Sequence, residues 1–168
     1  MGKIIVAILM VCMCAFMFAG CGDESDANGG TGGAENNDAA SVEVEDGVFV
    51  VGDVVLRFIS AELSTDFQGY DAIVITYEFT NNSDDAQNFI FATGRQLFQG
   101  GIELEAGIMV EGVDAGQQML DIRGGATITV STGHLLRNLE EDIELEIDAA
   151  FALRRNPQRM TIRMADLR

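Results

Sequence analysis

The chain has 168 residues, of which 10 are Lys or Arg and 27 are Asp or Glu, giving a formal charge of −17. So acidic a surface repels a phosphate backbone and anionic lipid headgroups, which argues against nucleic acid as a partner. The one lysine is Lys3, so a P-loop, a Schiff base and a Ser-x-x-Lys nucleophile are excluded from everything downstream.

Met1-Gly2-Lys3 leads into an unbroken apolar run from Ile4 to Phe18. That length suits the apolar centre of an export signal and is short of the roughly 20 residues that span a bilayer. Phe18-Ala19-Gly20-Cys21 closes the run, and polar Gly22-Asp23-Glu24 follows. The stretch resembles the lipobox of a bacterial lipoprotein signal peptide. The resemblance implies a signal over residues 1–20, cleavage between Gly20 and Cys21, and a diacylglyceryl group on the Cys21 sulfur. The mature protein would then be lipid-anchored on the extracytoplasmic face of the cell membrane. An uncleaved anchor helix and an ordinary unlipidated signal are the competing readings. N-myristoylation fails, because its motif needs Ser or Thr where Val6 stands. Cys12 and Cys14 would leave with the signal, so the exported part must hold together without disulfides.

Residues 21–46 are rich in Gly, Asn, Asp, Glu, Ala and Ser, with no aromatic and no basic side chain. Such a segment buries too little apolar surface to offset its ordering entropy and reads as a disordered acidic linker. Gly29-Gly30-Thr31-Gly32-Gly33 lacks the strand, helix and lysine that a phosphate cradle needs.

A globular domain is expected over residues 47–168, with period-two patterning and turn signals between runs. Val48–Val51 and Val54–Leu63 read as a strand pair broken at Gly52-Asp53. Asp71–Thr80 is a strand with Ile73, Ile75, Tyr77 and Phe79 on one face, ended by the turn formers Asn81 to Asp85. A strand is expected over Asn88–Phe98, weakened at Gly94, and Gly100-Gly101 signals a two-residue hairpin to Ile102–Glu105. Ala106–Arg123 has no clear period and reads as a long loop with one short helical turn. Ala126–Leu136 is rich in β-branched residues and reads as a strand. Ile143, Leu145 and Ile147 alternate with acids, and Met160, Ile162 and Met164 alternate with Arg159, Thr161 and Arg163. An acidic face and an arginine face joined by a short connection predict antiparallel neighbours. The fold class is therefore all-β, an antiparallel β-sandwich of about seven or eight strands.

Three strand and turn motifs carry a second resemblance. They are Tyr70 to Ser83, Phe98-Gln99-Gly100-Gly101-Ile102-Glu103-Leu104, and Gly125 to Val130. Together they look like immunoglobulin-like domains of unknown function displayed on lipoproteins of Gram-positive bacteria. The resemblance implies an immunoglobulin-like sandwich and carries no catalytic residues.

Candidate chemistry is sparse. His134 is the one histidine, with no cysteine left to join it at a metal, and reads as an ordinary strand residue. Calcium is the one cofactor to weigh, with Asp66 and Asp71 in one loop, Asp84 and Asp85 in a second, and Asp114 and Asp121 in the long loop. Arg154, Arg155, Arg159, Arg163 and Arg168 form a cationic cluster that would either pair with the Glu140–Asp148 segment or dock an anionic wall polymer or protein. Met109, Met119, Met160 and Met164 read as core filler. The expected function is a lipid-anchored, non-catalytic binding module with a protein or cell-wall partner. A calcium-dependent adhesion module and a hydrolase using a carboxylate pair are the alternatives.

Overall fold

Apolar side chains at every second position put one face of a strand into a core. The computed structural model describes residues 42–107, 109–153 and 155–167, and there Ile73, Ile75, Tyr77 and Phe79 are all completely buried. They belong to β4 (Asp71–Asn81), the centre of a four-stranded sheet with β2 (Val48–Val51), β3 (Val54–Thr65) and β9 (Thr127–Leu135) in the order β2-β3-β4-β9. The facing sheet runs β1 (Val42–Glu43), β11 (Gln158–Ile162), β10 (Ile143–Ala149), β6 (Thr93–Gln99), β7 (Ile102–Glu103). A third pair joins β5 (Gln87–Asn88) to β8 (Asp121–Ile122). Of these eleven strands seven have four residues or more, which matches the expected number for the sandwich.

The two inner faces meet in one core. Phe49 and Leu56 join the β4 face, and Leu97, Ile143, Leu145 and Ile147 oppose it from the other sheet. Each fully buried side chain of this kind contributes roughly 1.5–3 kcal/mol. Phe89 sits edge-on to Phe79, with ring centroids 5.8 Å apart, and closes one end.

Three local expectations are corrected. Residues 89–92 are not strand: Phe89–Ala92 is a single helical turn, α1. The Asn88 side chain accepts from Ile90 N–H (3.0 Å), and Thr93 Oγ1 donates to Phe89 O (2.9 Å), so both ends of the turn are capped. The domain also begins earlier than Gly47, because Val42–Glu43 pairs parallel to β11 and Val44 enters the core. Finally, Met160 and Met164 pack in the core as expected, but Met109 and Met119 are exposed.

Other expectations hold. Gly100 and Gly101 have φ of 59° and 75° and close the β6–β7 hairpin, as a primed turn requires. The short helical turn of the long loop is Gln117–Met119. β10 and β11 are antiparallel, with Glu146 opposite Arg159.

Candidate functional site

In both β6 and β9 the core-facing parity carries polar as well as apolar side chains. Thr93, Arg95 and Gln99 share a face with Leu97, and Thr132 and His134 share one with Val130. β9 is an edge strand of one sheet, and β6 leads into the edge of the other. Residues 104–107 stitch the two together: Leu104 N–H donates to Leu97 O (2.7 Å), Leu135 N–H to Glu105 O (2.9 Å) and Gly107 N–H to Gly133 O (2.9 Å). Beside this seam a cleft of about 480 Å³ opens, with Arg95, Thr132, His134 and Gln118 supplying its polar lining.

The cleft is roofed by the long loop. Val110 inserts against Ala72 and Val74 on the outer face of β4, packed so tightly that a Cβ on Gly133 would lie 2.7 Å from the Val110 side chain. Glu111 N–H donates to Thr65 O (3.0 Å), and Gln118 Nε2 donates to Ser131 O (2.6 Å). Met109, immediately before these anchors, is held at φ 54° in the left-handed region, an uncommon place for a side chain of its size. With Val110, Val113 and Ala115 it gives the cleft an apolar side.

The Arg95 guanidinium lies 4.1 Å from the centroid of the Phe89 ring. Its Nη1 donates to Thr93 Oγ1 (2.6 Å), Thr93 O (2.8 Å) and Phe89 O (3.2 Å). Among the described residues no carboxylate lies within ion-pair distance of it. Burial lowers its pKa, and the neighbouring Tyr77 phenol offsets this in part. Burial likewise pushes the Tyr77 hydroxyl well above its ordinary value. The Tyr77 and Thr132 hydroxyls are close enough to influence that titration, yet no well-formed hydrogen bond joins them.

His134 is buried, 8% exposed, and its Nδ1 has no hydrogen-bond partner. Burial first, and the Arg95 charge second, hold its pKa down at about 4, against the Leu104 backbone and the Glu103 carboxylate, which raise it. Whichever ring nitrogen carries the proton of the neutral imidazole, Nδ1 is left without a partner in the chain. Thr132 and His134, each with a buried polar atom that lacks a partner, therefore line one cleft beside a guanidinium that no described carboxylate meets within ion-pair distance.

Apart from His134 and Met109, the residues singled out by sequence are placed elsewhere. Gly20, Cys21 and Arg154 lie outside the described residues. Arg155 and Arg159 are engaged with acids: Arg159 meets Glu146 at 2.7 Å and Glu144 at 3.2 Å, and Arg155 meets Glu146 at 3.5 Å. Glu146 is consequently buried, where the alternation predicted a half-exposed acid. Arg163 is exposed beyond the end of β11. Asp66 Oδ1 accepts from Gln68 N–H (2.8 Å) and Tyr70 N–H (2.9 Å), so it builds its own turn. Asp66 and Asp71 stand at one end of β4 and Asp84 and Asp85 beyond the other, so the four are not brought together. Among the described residues no group of three or more His, Cys, Asp or Glu is placed to share a metal ion, and no helix is long and apolar enough to cross a membrane.

A family model described as Domain of unknown function (DUF5067) matches residues 31–149. No curated protein matches the chain. Among solved structures, one from Staphylococcus aureus, named as a "putative lipoprotein", superimposes with a TM-score of 0.56 at 13% identity, over 71% of this chain and 94% of its own. A protein from Enterococcus faecalis gives 0.53 at 16% identity, over 73% and 92%. YcdA of Bacillus subtilis, also named as a "putative lipoprotein", gives 0.52 at 9% identity, over 71% of this chain but 38% of its own. At these identities the likeness is one of fold.

Proposed function

The chain belongs to the DUF5067 family, and from that premise we propose that it is a lipid-anchored, non-catalytic binding module on the outer face of the cell membrane. The anchor is Cys21, lipidated after removal of residues 1–20, and an acidic tether then carries an immunoglobulin-like sandwich away from the bilayer. Supporting the anchor are the small residues before Cys21 and the names of two structural neighbours, from Staphylococcus aureus and Bacillus subtilis. Supporting the binding role is one observation above the others. The cleft between β6 and β9 holds buried polar atoms that the chain itself leaves without partners.

The anchor is tested by fractionating cells that express the native chain or Cys21→Ser. The native chain is expected in the membrane fraction, at a mass that includes the lipid. Cys21→Ser should lose the lipid and accumulate unprocessed or be shed. Normal processing and full membrane retention of Cys21→Ser would overturn the anchor.

A further inference from the structure

We propose that the cleft between β6 and β9 binds the carboxylate end of a short apolar peptide or N-acylated amino acid, with Arg95 as the carboxylate receptor. This rests on the reading of the chain as a binding module, but not on its lipid anchor.

The charge of the ligand follows from the lining. Arg95 is the one cation at the cleft, because His134 is neutral at pH 7, and no acid among the described residues pairs with that arginine. A monoanion balances it, whereas a dianion would leave net negative charge half-buried in a protein already at −17. The bonds of Arg95 to the chain all use Nη1, which leaves Nη2 and Nε for a planar, two-oxygen acceptor.

Two further groups narrow the class. Thr132 Oγ1 is a hydroxyl able to donate to a carboxylate oxygen. With its proton on Nε2, the neutral His134 ring offers Nδ1 as an acceptor, which an N–H or O–H near the ligand's acid group would match. An amide N–H next to a carboxylate is the arrangement at a peptide C-terminus. The apolar wall of Met109, Val110, Val113 and Ala115 would take the side chain of that last residue. The same chemistry is presented by a free N-acyl amino acid, and a volume of about 480 Å³ admits either.

The test is titration calorimetry at pH 7 on the purified full-length protein, with four probes. N-acetyl-alanine should bind. Its methyl ester, which lacks the charge, should bind about 10–100-fold more weakly. Propionate, which lacks the N–H, should be about 5–10-fold weaker because it leaves His134 Nδ1 unpaired. Inorganic phosphate should be weaker than N-acetyl-alanine. Arg95→Gln should reduce N-acetyl-alanine affinity about 10–100-fold. Should that variant fail to fold, Thr132→Val preserves side-chain shape and is expected to lose about 3–10-fold. Absence of binding by every probe, an ester as tight as the acid, phosphate tighter than the acid, or undiminished affinity in a folded variant would each overturn the proposal. Those outcomes leave membrane fractionation of Cys21→Ser untouched, so failure of the ligand assignment and failure of the anchor are read separately.

Discussion

Two arginine sites on this sandwich differ in one respect that decides their roles. On the outer face of β10 and β11, Arg159 and Arg155 close over Glu146, and their charges end in carboxylates at 2.7–3.5 Å. At the β6–β9 edge Arg95 is held by backbone oxygens, a threonine hydroxyl and the Phe89 ring, with no acid among them. A protein with 27 acids does not lack carboxylates, so their exclusion from Arg95 is a property of the site. A charge met by its counter-charge stiffens a sheet. On the reading proposed above, a charge lacking one, beside unpaired polar atoms, is kept for a ligand.

The largest expected effect belongs to His134. Its folded pKa of about 4 lies below the unfolded value of 6.5, so below pH 6.5 the unfolded chain binds the proton the folded chain refuses. Stability from this residue is complete above pH 6.5 and is lost as pH falls through 4, by about 2–3 kcal/mol. Denaturant titrations from pH 7 to 4 should show that loss, and His134→Gln should flatten it. If the two curves ran parallel, His134 would not be the buried, neutral residue described above.

Glu146 sharpens the other half of the comparison. Glu146→Gln keeps the shape and removes the charge that holds two arginines, at a cost of about 1–3 kcal/mol. Glu144→Gln removes a half-exposed acid from the same network and should cost under about 1 kcal/mol. Equal costs would mean that burial of Glu146 adds nothing. Between these in size lies Gly133→Ala, whose new Cβ would meet Val110 at 2.7 Å and press the roof away, at about 1–2 kcal/mol. Its signature is faster hydrogen exchange at Glu111 N–H, which the packed roof holds on Thr65 O.

The two regions were not equally legible. The β10–β11 pairing could be read from alternation alone, because charged and apolar residues separate cleanly by parity in both strands. β4 was legible for the same reason, with four large apolar side chains at one parity. The cleft was hidden because its residues break that rule. Arg95, Thr132 and His134 occupy core parity in strands whose neighbours at that parity, Leu97 and Val130, are buried, so parity places polar groups inside without saying what meets them. The partnerless state of His134 Nδ1 depends on residues 104–107 crossing from one sheet to the other, a long-range contact with no local signal. The helical turn at Phe89–Ala92 was missed because two aromatics and an isoleucine favour a strand locally, while the Asn88 and Thr93 caps favour the turn.

The smallest expected effect is the most discriminating. Arg95→Met removes a cation whose burial costs desolvation, together with three hydrogen bonds and a ring contact that offset it. Methionine keeps the length and packs on Phe89, so unfolding free energy should change by less than about 1 kcal/mol in either direction. The same substitution should abolish the dependence of binding on a ligand carboxylate. A loss of stability as large as that of Glu146→Gln would mean that Arg95, like Arg159, is there to hold the fold. A near-neutral change in stability combined with lost affinity separates the two arginines by function.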